Sequence, residues 1–503
     1  MPAISNLRRA SSTYQKVITS DLLKKRKLEQ NDYLTSFRKE EYKQLILKPS
    51  SIIRQTLQCC LNNTSPLFDA LQKVEKIRFG NEKLVDDLSI VELDTFSLSV
   101  HYLQEMVNVG SYTDSMGNNF IRENIASALT KRDRAKTKSD NIKLFDSLAE
   151  DFKSIFKALV IKPNDCVLFP QPSDPVYEYN FRFSGGSAAT YQIDLNSFDN
   201  SLANIEKAHK LALSQGLVPK GLFIMNPLSG RGKILSEREL SKIAEFAFEK
   251  RLIIMADESF QQVLLDDDFK PFSKPSNESD PAEKNLKTPV KHFTSFKSVI
   301  ANHSNDELRE SLELISGFSI SKSIFPEPAL AGGFLELTNI DEFAQAMLIK
   351  LSSIMLAPNS SGQIATDLLI NFPNILTHFK SETKQIFEDE YFANKSNLYT
   401  SYQQFYNHLK AIPCFEVFES ESGFSIWVKV NFSEAVKRKY QNDIKQAEVE
   451  LSRLLKSTLD ILAVPGSEFG CLGNFKFVFA RKSDEAALES MKKLVDSFMS
   501  GSL

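Results

Sequence analysis

Apolar residues recur at helical spacing in the first third of the chain and in short runs further on. Between Ser50 and Asn62, the residues Ile52, Ile53, Leu57 and Cys60 fall near one face, which predicts a buried helix. Phe120–Lys131 repeats the pattern with Ile121, Ile125 and Leu129, and Leu144–Val160 repeats it with Leu148, Phe152, Ile155, Phe156 and Leu159. Phe68–Val109 reads as a mix of helical fragments. From Cys166 the pattern alternates. Cys166–Phe169, Ala189–Ile193, Gly221–Met225 and Leu252–Ala256 read as strands. Ser236–Lys250 reads as a helix opened by a capping box, Ser236 with Glu239, and carrying Leu240, Ile243, Phe246 and Ala247 as its buried stripe. Strands alternating with helices imply an α/β fold with a mostly parallel sheet covered on both faces.

Two more short apolar runs, Phe318–Ser321 and Phe334–Leu337, flank a loop broken by Pro326 and Pro328 and the small turn Ala331-Gly332-Gly333. Lys322 sits at the end of the first run. Beyond them, Asp341–Ile354 and Phe379–Ile412 read as helices, Phe424–Val430 and Lys476–Phe479 as strands, and Asp484–Met499 as a closing helix capped by Ser483. The expected division is an N-terminal arm over 1–48, the first part of a small domain over 49–110, a large α/β domain over 111–338, and the rest of a smaller α+β domain over 339–503. Within the large domain, 273–291 is polar and rich in Pro, Lys and Ser, and reads as a disordered insertion.

Composition narrows the classes. The 503 residues are 42% hydrophobic and 25% charged, which suits a large core and more than one domain. A net charge of −3 gives no reason to expect nucleic acid as a partner. No apolar run reaches the ~18–20 residues of a transmembrane helix. The 5 cysteines are scattered, without a CxxC pair, which points to free thiols in a reducing compartment. The 6 histidines form no HExxH, so no metal site is expected. Met1–Ser20 carries Arg8, Arg9 and Lys16 and no acid. That composition fits a mitochondrial transit peptide and equally an ordinary basic N-terminus.

The chemistry centres on Lys322. Its segment alone reads as a loop with a surface lysine, or as a lysine held between strands that can attack a carbonyl and form a Schiff base. Ser319-Ile320-Ser321-Lys322, with Gly332 and Gly333 following, resembles the lysine segment of fold-type I pyridoxal-phosphate aminotransferases. Four other stretches are similar to the alanine aminotransferase branch: PSSIIRQTLQCCLNN (Pro49–Asn63), SYTDSMGNNFIRENIASAL (Ser111–Leu129), FAFEKRLIIMADESFQ (Phe246–Gln261) and VPGSEFG (Val464–Gly470). They run in family order to the C-terminus. The resemblance implies the type I fold, with a large seven-stranded-type sheet and a smaller α+β domain. It also implies roles. Lys322 would be the Schiff-base lysine and Asp257 the partner of the pyridinium nitrogen. Ser319 would bind phosphate, Tyr112 would reach the phosphate from the neighbouring subunit, and Ser229 would contact the ring.

The chain departs from the family at the site. Phe145-Asp146-Ser147-Leu148-Ala149 stands where the phosphate turn has Ser-Thr-Gly-Ala-Ser. Asp146 would oppose a phosphate at a cost of ~3 kcal/mol for one like-charge contact at an effective dielectric of about 20. Ala331 replaces the phosphate-clamping arginine, Asp174 the stacking aromatic, Ser229 the asparagine, and Phe260 the ring-hydroxyl tyrosine. The substrate-carboxylate arginine falls on Val478, and Arg481 alternates to the other face of the strand. These losses lead to the expectation of a non-catalytic structural or regulatory subunit in a mitochondrial assembly. That reading has no cofactor, a dispensable Lys322, and a two-fold dimer or a pairing with a related chain. The alternative is a divergent pyridoxal-phosphate aminotransferase that retains Lys322 and Asp257, assisted by Arg231, and moves an amino group between an amino acid and a 2-oxo acid.

Overall fold

A computed structural model describes residues 46–61, 90–106, 112–228, 230–265, 292–354, 356–375, 377, 379–481 and 484–502. The basic N-terminal segment, the polar insertion, Ser229 and Ser483 lie outside them.

The larger sheet comprises Ile142–Phe145 (β1), Asp165–Gln171 (β2), Ser187–Gln192 (β3), Val218–Met225 (β4), Ile253–Asp257 (β5), Leu314–Ser319 (β6) and Gly333–Thr338 (β7). Their order is β1-β7-β6-β5-β4-β2-β3. The run from β3 to β6 is parallel, and β7 lies antiparallel to both β6 and β1. This is the seven-stranded, mostly parallel α/β sheet that the resemblance implies. Alternation along β4 shows why it needs cover on both sides. Leu222 and Ile224 enter one core, and Phe223 and Met225 enter the other.

Nine helices belong to the part of the chain that precedes and builds this sheet: Ser51–Leu61 (α1), Ile90–Met106 (α2), Asn119–Asp133 (α3), Leu148–Leu159 (α4), Val176–Phe183 (α5), Phe198–Ser214 (α6), Glu237–Lys250 (α7), Phe296–Ala301 (α8) and Asp306–Ser311 (α9), counted among the described residues. The capping box of α7 forms as expected. The Ser236 hydroxyl accepts from the Glu239 N–H at 3.4 Å, and Glu239 Oε2 accepts from the Ser236 N–H at 2.9 Å. One expectation fails at α4. The pattern predicts helix from Leu144, but Ile142–Phe145 is a strand and the helix starts at Leu148. The four residues pair with β7 and are all buried, and a run that short carries no periodicity that separates strand from helix.

The C-terminal part adds Glu342–Ser353 (α10), Ser360–Ile370 (α11), Phe372–Ile375 (α12), Ser381–Lys410 (α13), Glu434–Lys439 (α14), Ile444–Leu459 (α15) and Glu485–Met499 (α16). A second, antiparallel sheet has the order β10-β11-β9-β8, from Phe415–Val417 (β8), Ser425–Val430 (β9), Ala463–Pro465 (β10) and Asn474–Val478 (β11). The last helix is capped by Asp484, whose side chain accepts from the Ala486 N–H. A single apolar core runs from α1 through α11 and α13 to the second sheet, including Ile52, Leu368, Phe387, Phe475 and Phe477.

A buried carboxyl ties three helices of that core. Asp367 Oδ2 on α11 accepts from the Tyr102 hydroxyl of α2 at 2.6 Å and from Asn124 Nδ2 of α3 at 2.9 Å, while its Oδ1 is buried without a partner. Burial pushes this carboxyl up from 3.8 to about 7, against the pull of the two hydrogen bonds. The folded state therefore keeps a proton that the unfolded state releases between about pH 4 and pH 7, and stability falls as pH rises through that window. Asp367→Asn should flatten the profile there, removing up to about 1.4 kcal/mol per pH unit. Urea unfolding at intervals of pH reads it. Glu258, likewise raised to about 7 by burial, leaves a residual slope of the same sign.

Candidate active site

Asp257 is the last residue of β5. The register sets it beside Met225 of β4 and Gly317 of β6, at the carboxyl ends of the parallel strands, where open α/β sheets bind ligands. It is buried, and three groups around its carboxylate stabilise the negative charge. Lys322 Nζ donates to Oδ2 at 2.9 Å, the Tyr177 hydroxyl donates to Oδ2 at 2.8 Å, and the Ser259 N–H donates to Oδ1 at 3.0 Å. Burial pushes the carboxyl up, but the Lys322 charge and these hydrogen bonds hold it below its ordinary value. Tyr177 is aimed by packing. It stands on α5 with its ring 4.4 Å from Phe223 and 5.7 Å from Phe152.

Lys322 reaches this point because β6 stops earlier than the sequence pattern predicts. The strand ends at Ser319, and Ile320–Lys322 forms one 3-10 turn. The Ser319 hydroxyl accepts from the Ser321 N–H and ends the ladder. Lys322 Nζ lies 5.1 Å from the centre of the Phe260 ring, a cation over an aromatic face. Lys322 is therefore neither a surface lysine nor an unpaired buried one. It is the counter-ion of a fully buried acid.

The pair opens into a cleft of about 430 Å³ between the carboxyl ends of the parallel strands and the second sheet. At one end the cleft meets the start of α4. The Ser147 side chain makes no capping hydrogen bond there, so the first-turn N–H groups and the hydroxyls of Ser147, Ser319 and Ser321 form a donor-rich end. Ala331 contributes no cation to it. Asp146 lines the cleft as expected, but its charge is engaged. The Asn359 N–H and Nδ2 both donate to Asp146 Oδ1 at 2.8 Å, at the start of α11. Asn359 also donates to the carbonyl of Ala331 at 2.7 Å, which joins the two altered positions.

The opposite end is built by the second sheet. Val478 is buried against Leu462 and Val464 and brings nothing to the cleft. Lys476, two residues earlier on the same face of β11, lines it with Trp427 and Phe469. Lys476 is the cation that the sequence reading missed, and strand alternation from Val478 is the signal that could have found it. Arg481 is not a substitute, because it donates to the Asp460 carbonyl at 2.6 Å and to Asp460 Oδ2 at 2.7 Å. Arg231 is also committed elsewhere, to the carbonyls of Glu419 and Leu195, both at 2.9 Å. Asp174 does line the cleft, and its Oδ1 accepts from the Val176 N–H at the start of α5. Tyr112 is 81% exposed and does not line the cleft of its own chain.

The donor set fits pyridoxal phosphate. A buried acid held ionised, with an amine beside it, suits a ring nitrogen and an aldehyde. The hydroxyls and helix N-terminus suit a phosphate, although no arginine reaches it among the described residues.

Comparison with known proteins agrees. The family described as aminotransferase class I and II matches residues 92–494. A probable mitochondrial alanine aminotransferase of Dictyostelium discoideum is 27% identical over 419 residues, covering 81% of this chain and 72% of that protein. Glutamate–glyoxylate aminotransferase 1 of Arabidopsis thaliana is 25% identical over 430 residues, covering 83% of each. In fold, an alanine aminotransferase from Pyrococcus furiosus superposes with a TM-score of 0.58 at 19% identity, covering 79% of this chain and 86% of that one. The expectation that no cofactor is bound is thereby corrected. The match spans both sheets, its family works through pyridoxal phosphate, and the acid–lysine pair that such a cofactor needs is assembled here. The chain belongs to the class I and II aminotransferases, on their fold-type I, alanine aminotransferase-like side.

Proposed function

We propose that the protein is a divergent pyridoxal-phosphate-dependent aminotransferase that moves an amino group between an amino acid and a 2-oxo acid. The observation that carries this reading is Lys322 Nζ at 2.9 Å from the buried Asp257 carboxylate, in the cleft between the sheets. The family match and the aminotransferase relatives support it over the non-catalytic subunit that the substitutions alone suggest.

Each residue has a defined task. Asp257 would hold the ring nitrogen, with its charge maintained by Tyr177 and Ser259 after Lys322 leaves it for the aldehyde. The Ser319 hydroxyl and the first turn of α4 would hold the phosphate. A charge-assisted arginine contact contributes ~1.5–3 kcal/mol, so its replacement by Ala331 costs about ten- to a hundredfold in cofactor affinity. When bound, pyridoxal phosphate supplies an electron sink for the bond broken at the substrate α-carbon. Lys322 Nζ is the amine in the cleft that can take the α-proton and return it. Lys476 would hold the substrate carboxylate as a point charge, where a guanidinium would grip it with two parallel bonds. Trp427 and Phe469 would keep water from that end.

Assembly and location extend the proposal. Exposed Tyr112 suits a two-fold dimer in which each chain completes its neighbour's phosphate end, and Phe183 and Ile354, both exposed and lining one groove, add apolar surface for such a contact. The acid-free Met1–Ser20, and the mitochondrial name of the Dictyostelium relative, support import into mitochondria.

Protein purified with pyridoxal phosphate should show a visible absorption band and transaminate alanine with a 2-oxo acid. Lys322→Ala should remove the band and lower turnover at least about a thousandfold with the fold retained. No band and no turnover in the unaltered protein would count against the reading. Native mass measurement should give twice the chain mass, and a stable monomer would remove the proposed role of Tyr112.

A further inference from the structure

We infer that Glu448 is a positioning residue for the substrate end of the cleft, because its carboxylate fixes both ends of the loop that forms the cleft wall there. This rests on the aminotransferase reading for its consequence but not for its geometry. Glu448 stands on α15 with no exposed surface. Its Oε2 accepts from the Ser467 N–H at 3.1 Å, and its Oε1 accepts from the Gly473 N–H. Those two groups bracket the loop between β10 and β11. No salt bridge to Glu448 occurs among the described residues. A buried carboxylate is costly unless its oxygens are satisfied, and here the chain satisfies them with the two loop ends.

What the loop carries explains why its placement matters. Phe469 meets Trp427 edge-on with ring centres 5.5 Å apart, and Lys476 Nζ lies 5.6 Å from the Phe469 ring. All three line the cleft. At the tip, Gly470 adopts φ +75 and lies against Gln171 at the end of β2, so close that a Cβ would come within 2.6 Å of Gln171 Nε2. The loop is thus a bridge from the second sheet to the first. Glu448 sets its base, and Gly470 lets its tip seat. If the base loosens, Phe469 leaves Trp427 and the cation of Lys476 loses its ring support. The catalytic pair, Lys322 and Asp257, is on other elements and stays in place.

The test uses the full-length protein and two variants. Trp427 is the sole tryptophan in the chain, so its emission reports this wall directly. Glu448→Gln keeps the shape but turns an amide donor toward one of the two loop N–H groups. Gly470→Ala leaves Glu448 intact and displaces the tip. In each, circular dichroism should be unchanged, Trp427 emission should move to longer wavelength, and acrylamide quenching should rise about twofold. With alanine and 2-oxoglutarate as probes, KM for the oxo acid should rise about tenfold while kcat changes less than about twofold. If the unaltered protein shows no turnover, the aminotransferase reading fails, and the Trp427 signal still decides the role of Glu448. If Glu448→Gln does not fold, Glu448→Asp, which draws the carboxylate back from the two loop N–H groups by one methylene, carries the test for Glu448, and Gly470→Ala carries it for the loop. Unchanged Trp427 emission and quenching in the folded variants, or a loss confined to kcat, overturns the inference.

Discussion

A carboxylate with no access to water must be neutralised where it stands, and Asp257 is that constraint in this protein. Its charge is kept by one cation and two neutral donors contributed by three separate elements: the turn after β6, helix α5 and the turn after β5. Removing one member of such a pair leaves an uncompensated buried charge, which costs ~3–5 kcal/mol in comparable sites. The local structure follows from this demand. β6 stops at Ser319 so that Lys322 can turn back, and the aromatic packing around Phe223 and Phe152 holds the Tyr177 hydroxyl on the acid. The ion pair that binds the ends of β5 and β6 together is also the acid and amine to which the proposed function gives aminotransfer chemistry.

The two ends of the cleft have diverged in different ways. At the phosphate end the arginine is gone, and Asp146 appears to the sequence as a repulsive charge. In the fold Asn359, at the start of α11, donates two hydrogen bonds to that carboxylate, which fix its position but leave its charge beside the helix N-terminus and the hydroxyl groups. Toward the second sheet the arginine position holds the buried Val478, and Lys476, two residues earlier on the same strand face, brings to the cleft a positive charge without the planar fork. Both changes lower the strength and the directional precision with which an anion can be held. Counting lost residues overstates the damage, because a substitution acts through what the new side chain touches.

Much of the fold was legible in the sequence. The capping box at Ser236 and Glu239, the alternation from Cys166 to Asp257, and the long helix over Ser381–Lys410 all stand where local pattern put them, because periodicity and caps are properties of neighbours in sequence. Asp257 and Lys322 were legible through resemblance. Their partners were not. Tyr177 is 80 residues from Asp257, and Asn359 is 213 from Asp146, and no local pattern encodes such a hydrogen bond. Lys476 was not legible because the resemblance marks only Val478 on that strand, while the cation stands two residues away on the same face. The strand at Ile142–Phe145 was missed because four residues hold no period.

The central claim is that Lys322 and Asp257 form a working cofactor site. The most direct measurement is borohydride reduction of the protein in the presence of pyridoxal phosphate, followed by mass mapping of its peptides. The account predicts one pyridoxyl group per chain, on Lys322, with labelling much reduced by Asp257→Asn. Labelling absent from Lys322, or spread over exposed lysines with Lys322 no different from the rest, would contradict it.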